Sequence, residues 1–73
     1  MHISPNPATN AIQVSGVEPG AMAIVRDLRG AVVMQSVCAD QTATFDISSL
    51  ASGMYTLEIR GQQASGISIF EKQ

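Results

Sequence analysis

Along the chain, apolar side chains recur at every second position in short runs, and turn residues cut those runs at intervals of about 10 residues. Apolar spacing of the helical kind never persists for three turns. In Met54-Tyr-Thr-Leu-Glu-Ile-Arg60, an extended backbone places Tyr55, Leu57 and Ile59 on one side and Thr56, Glu58 and Arg60 on the other. Ile12 and Val14 form a similar inward pair, and so do Ile67 and Ile69, with Ser68 and Lys72 facing away. The pattern predicts an all-β sandwich or barrel. Strands are expected over residues 11–15, 21–27, 31–38, 42–47, 54–60 and 67–72, and a short extended piece at Ile3 and Ser4 makes a seventh. Residues 21–25 and 31–34 are apolar on both faces, which predicts central or covered strands; an exposed apolar face there would be a docking surface.

The residues between the runs suit the connections. Val17-Glu-Pro-Gly20 is a turn in which Pro19 presets φ and Gly20 is free to take a positive φ. Asp27-Leu-Arg-Gly30 is short enough for a hairpin, residues 39–41 form another short connection, and residues 61–66 read as a polar loop before the last strand. No internal repeat or boundary divides the 73 residues, so the chain is read as one domain, with residues 1–10 as a lead-in to the first long strand.

A core of this size leaves a margin of about 3–5 kcal/mol, which small domains usually reinforce with disulfides or a metal. Here one cysteine, Cys38, excludes an internal disulfide, and one histidine, His2, leaves no Cys/His zinc spacing. Cys38 is read as a small buried hydrophobe in preference to a thiol that pairs between chains, and His2 as a frayed terminal residue. A net charge of −2 with four Lys and Arg gives no basic patch, which argues against nucleic acid. The longest apolar stretch, Ala21-Met-Ala-Ile-Val25, is far short of the roughly 20 residues of a membrane helix. The N-terminus lacks the charged start and apolar middle of a secretory signal, so any export would be directed from elsewhere in a longer precursor.

Catalysis finds little support. The one imidazole stands near the N-terminus, which defeats a Ser/His/Asp arrangement. Asp27, Asp40, Asp46, Glu58 and Glu71 lie mostly at strand ends and turns, where carboxylates cap backbone N–H groups or face solvent. No Gly-rich loop precedes a helix to cradle phosphate. No cofactor is expected.

The most structured motif is Asp46-Ile-Ser-Ser-Leu-Ala-Ser-Gly-Met-Tyr55. Asp46 can accept from the N–H of Ser48 or Ser49, and Gly53 permits the turn into the next strand. Leu50, Gly53 and Tyr55 make a Leu-x-x-Gly-x-Tyr spacing that resembles the tyrosine corner of immunoglobulin-like sandwiches.

Taken in order, Pro5-Asn-Pro-Ala-Thr9 before a first strand, Val25-Arg-Asp-Leu-Arg-Gly30 at a hairpin, Asp46 to Tyr55 at a corner and Phe70-Glu-Lys72 at the end resemble the type A C-terminal sorting domain of type IX (Por) secretion cargo. The resemblance covers essentially the whole chain. It implies an immunoglobulin-like antiparallel β-sandwich of about seven short strands at the end of a larger precursor. That precursor would pass through the periplasm to the outer membrane and then to the cell surface or medium. The implied partners are the cargo domain upstream, an outer-membrane translocon that reads the domain, and a surface sortase of the cysteine-peptidase type that usually removes it.

Carried over by position, the sorting-motif residues are Pro5, Asn6 and Pro7 in the lead-in, Asp27 and Gly30 at the hairpin, Asp46, Leu50, Gly53 and Tyr55 at the corner, and Lys72 near the end. The last strand departs from the family pattern, which often places a lysine just ahead of the final apolar pair. Here Ser68 and Ile69 precede Phe70, and Lys72 follows it. The segment Ile67, Ser68, Ile69, Phe70, Glu71, Lys72 and Gln73, as an edge strand, would leave backbone groups unpaired for a receptor strand or for a second copy of the domain. The lead-in, stiffened by Pro5 and Pro7, is expected to act as a hinge between cargo and sandwich. The competing reading is an immunoglobulin-like structural or carbohydrate-binding module. Sugar stacking would need exposed aromatics, and only Phe45, Tyr55 and Phe70 exist.

Overall fold

In a computed structural model, which describes residues 1–73, the chain forms seven strands and no helix. They are β1 (His2–Ser4), β2 (Ala11–Ser15), β3 (Met22–Asp27), β4 (Val32–Val37), β5 (Thr42–Asp46), β6 (Gly53–Arg60) and β7 (Ser65–Lys72). One antiparallel sheet has the order β1-β2-β5 and the other β4-β3-β6-β7. The β2–β3, β4–β5 and β5–β6 connections cross between sheets, which makes the two-layered immunoglobulin-like sandwich expected from the alternation and the corner.

The core is built from the inward side of each strand. Ile12 opposes Phe45 and Val14 opposes Ala43 in the smaller sheet. Ala23 opposes Ile59, Val25 opposes Leu57 and Tyr55 opposes Phe70 in the larger. Together with Ala8, Val17, Ala21, Cys38 and Ile47, all of these but Ala43 form one buried cluster, and Ala43, partly buried, packs against it. Cys38 is fully buried, and burial pushes its thiol pKa up, so it packs as a small hydrophobe.

At the corner, the Tyr55 hydroxyl donates to the Ala51 carbonyl at 2.7 Å. Asp46 Oδ1 accepts from the Ser48 N–H at 2.9 Å and from the Ser48 hydroxyl at 2.6 Å, and Gly53 takes a φ of 151°. At the β3–β4 hairpin, Asp27 Oδ1 accepts from the Arg29 and Ala31 N–H groups at 2.9 and 3.1 Å, while Gly30 adopts a φ of 91°. Both turns follow from their residues: a short carboxylate replaces the missing backbone partners, and glycine supplies a conformation that L side chains rarely adopt.

Four expectations are corrected. First, the faces of the last strand are reversed: Phe70 is fully buried and Lys72 nearly so, whereas Ile67 and Ile69 are 66% and 53% exposed. The cause is the β6–β7 hairpin, whose turn the Gly61 N–H closes by donating to the Ala64 carbonyl. That closure sets Tyr55 opposite Phe70 and Leu57 opposite Ser68, and directly opposed residues share a face. Second, β3 is central but β4 is an edge strand, with Val32, Val33 and Val37 exposed. Third, His2 is not frayed but lies in β1 opposite Ser15. Fourth, the lead-in is not a free hinge. Ala8 is buried and bridges to Lys72, tying residues 6–8 to the sandwich.

Two substitutions separate the two faces of β7. Phe70→Ala empties a fully buried site at a cost of about 3–5 kcal/mol, comparable with the whole margin of a domain this size, so the variant is expected to be largely unfolded. Ile69→Ala removes an exposed side chain and should change stability by no more than about 0.5 kcal/mol. Urea unfolding followed by circular dichroism checks both, and equal losses would contradict this assignment of faces.

Candidate functional site

The residues that the resemblance implies as a sorting motif, scattered over the sequence, gather at one pole of the sandwich. Asp27 ends β3 opposite Tyr55, and Gly53 begins β6 opposite Lys72. Asp46 ends β5 opposite Ala11, and the following Ile47 N–H donates to the Asn10 carbonyl at 2.9 Å. Leu50 lies in the turn between them and packs on the core. The antiparallel order therefore brings the lead-in, the β3–β4 hairpin, the Tyr55 corner and the end of β7 to the same end.

The lead-in meets the last strand directly. Asn6 Oδ1 accepts from the Glu71 N–H at 3.0 Å. The Ala8 N–H donates to the Glu71 carbonyl and the Gln73 N–H donates to the Ala8 carbonyl, each at 2.8 Å. Pro5 and Pro7 flank Asn6, have no N–H of their own, and stand exposed. Residues 6–8 thus form a strap along the outer edge of β7, and β7 is an open edge only in part. Because Glu71 and Gln73 turn their backbone groups outward, the alternation of an antiparallel strand turns those of Ile67 and Ile69 outward too. These have no strand beside them. The free portion of the edge, with its two exposed isoleucines, adjoins the strapped portion.

Lys72 is the one buried charged side chain, and its Nζ donates to the main-chain oxygen of Gln73 at 2.8 Å. Its row neighbours are Gly53 and Ala8, the smallest available, which leaves room for a long stem. Phe70 stacks on Tyr55 with ring centroids 5.8 Å apart. All three aromatics, Phe45, Tyr55 and Phe70, are buried, so none offers an exposed ring on which a sugar could stack.

The opposite pole holds a groove of about 620 Å³ that contains none of the motif residues. Glu18 lies on it, and its carboxylate accepts from the N–H groups of Gln62 at 2.8 Å and Gln63 at 3.1 Å, clamping the β6–β7 turn. A side chain at position 61 would strike the Ala64 carbonyl at 2.6 Å, so glycine is needed there. Neither this clamp nor the Asn6 contact was legible in the sequence. The partners lie 44 and 65 residues apart, and nothing in a Val-Glu-Pro-Gly turn or a Pro-Asn-Pro run names a distant acceptor or donor.

Four carboxyls are held below their ordinary pKa values by hydrogen bonds. The causes are the Gln62 and Gln63 N–H groups at Glu18, the Ala31 N–H at Asp27, the Ser48 hydroxyl and N–H at Asp46, and the Arg60 and Arg26 guanidiniums at Glu58. A lowered folded pKa contributes stability that is present above the unfolded value and is lost as pH falls through the folded one. The melting temperature should therefore hold between neutrality and the ordinary carboxyl values of 3.8 and 4.5, then fall below them. Asp46→Asn should be less stable at neutral pH and lose less on acidification, as read by thermal scans at several pH values. A domain that gains stability on acidification would contradict the assignment.

Among solved structures, the fold matches PorZ of Porphyromonas gingivalis, described as an essential bacterial surface component of the type-IX secretion system. The TM-score is 0.86 at 17% identity, and the match covers 99% of this chain but only 11% of PorZ, so the likeness is one of fold. No curated protein sequence matches the chain. The sequence profile of the secretion system C-terminal sorting domain matches residues 2–70, nearly the whole chain. With that match over a sandwich of the same shape, the chain belongs to the secretion system C-terminal sorting domain family, the sorting signal of type IX secretion.

Proposed function

We infer that this domain is the address by which an upstream cargo is taken across the outer membrane, and that it is read on its folded surface. The reading surface is the strapped pole together with the free edge of β7. The observation that carries this reading is the hydrogen bonding of Asn6 and Ala8 to Glu71 and Gln73, which joins the two terminal motifs into one continuous surface. An outer-membrane translocon that adds a strand beside Ile67 and Ile69 would meet unpaired backbone groups and two exposed isoleucines. The family is one of signals and not of catalysts. The chain's role is that of a substrate, carried through the periplasm and removed from its cargo at the surface by a sortase.

The reading is tested by fusing the domain behind a periplasmic passenger in a bacterium that has this secretion system. Replacing Ile67 and Ile69 together by Asp leaves the core intact and should hold the passenger in the periplasm. Full surface delivery of that variant would contradict recognition at this edge. Mass spectrometry of the delivered wild-type passenger should find the sandwich domain gone; an intact fusion at the surface would contradict removal by a sortase.

A further inference from the structure

The larger sheet has a second edge, β4, at the side away from β7. Natural edges are usually guarded by lysine, proline or a covering segment. The β7 edge has the strap over part of its length, but β4 reads Val-Val-Met-Gln-Ser-Val, with no charge, no proline and no strand on the side away from β3. Its one irregularity is a bulge where β3 passes from Val25 to Arg26, which leaves Val33 as the extra residue between Val32 and Met34. Beyond the bulge, the Cys38 N–H donates inward to the Ala21 carbonyl at 2.8 Å. Alternation then turns the backbone groups of Val37, Gln35 and, next to the bulge, Val33 outward. Val33 and Val37 are 40% and 58% exposed.

We propose that this edge is a self-association site whose occupant is a second copy of the same domain, paired antiparallel about a two-fold axis at Gln35. The register follows from which groups face outward: Val33 opposes Val37 of the second copy, Gln35 opposes itself, and Met34 opposes Ser36. Self-pairing sets each residue against a residue of the same short segment, so a charged edge would place like charges opposite each other. A charge-free one does not. The β7 edge fails this requirement, since residues 71–73 already carry the strap and Glu71 would enter any longer pairing. Gln35 adds a further reason: its Nε2 has only the Met22 thioether as a protein partner, at 3.4 Å, and two amides across a two-fold axis can pair instead. The pairing would join two four-stranded sheets into one of eight. Because β4 and β7 are opposite edges, it would leave the β7 edge of both copies uncovered.

Sedimentation equilibrium between about 10 μM and about 1 mM, the range suited to a small strand-to-strand interface, should show a monomer–dimer equilibrium. Val33→Lys with Val37→Lys should weaken it by about tenfold or more, since each lysine then opposes another. Ile67→Lys with Ile69→Lys should leave it unchanged, with circular dichroism confirming the fold of each variant. Gln35→Cys, on the axis, should oxidise to a covalent dimer, while native Cys38 stays buried and unreactive. A single 7.7 kDa species at all concentrations overturns the proposal. So does dimerisation unaffected by the β4 lysines, dimerisation lost with the β7 lysines, or failure of Gln35→Cys to cross-link.

Discussion

The stacking of Phe70 on Tyr55 is the contact on which the rest of the arrangement depends. Tyr55 is fixed from one side by its hydroxyl on Ala51, which sets the corner, and from the other by Phe70, which belongs to the last strand. Once Phe70 is inside, the phase of β7 is decided: Ile67, Ile69 and Glu71 must point away from the core. A slip of one residue would exchange one buried aromatic for two isoleucines and an uncompensated carboxylate. The hairpin turn at residues 61–64, clamped by Glu18, makes that slip costly at the other end as well.

The phase of β7 in turn determines what the lead-in can do. With Glu71 and Gln73 turned outward, the strand offers an edge of backbone groups that Asn6 and Ala8 satisfy. Proline on either side of Asn6 removes competing donors and restricts the chain, so one side-chain carbonyl and one buried alanine hold the strap. A segment that would otherwise be a linker becomes part of one surface with the end of β7.

Much of this was legible in the sequence, because alternation in β2 and β6 is unambiguous and Asp-x-x-Gly and Leu-x-x-Gly-x-Tyr encode their own turns. The phase of the last strand is not legible because the strand is apolar on both faces: Ile67 and Ile69 compete with Phe70, and only the length of the preceding turn decides between them. The edge position of β4 is hidden for a related reason. A run that is apolar on both sides suits the middle of a sheet, and nothing in Ala31-Val-Val-Met34 reveals that its neighbour exists on one side alone. Of the site, the sequence supplied the parts and their order, while the contact between Asn6 and Glu71 depends on long-range topology that no local pattern records.

The resulting view of the sorting signal is one of shape as much as of sequence: dispersed motifs are brought to one pole by an ordinary sandwich, and a strand edge is left open over a defined length. Its central claim is that β7 is capped at its C-terminal end and free before it. Residue-resolved amide hydrogen exchange measures this directly. The account predicts slow exchange at Glu71 and Gln73, fast exchange at Ile67 and Ile69, and loss of protection at Glu71 when Asn6 is replaced by Ala. Uniform protection along residues 65–72, or no response of Glu71 to the Asn6 substitution, would contradict it.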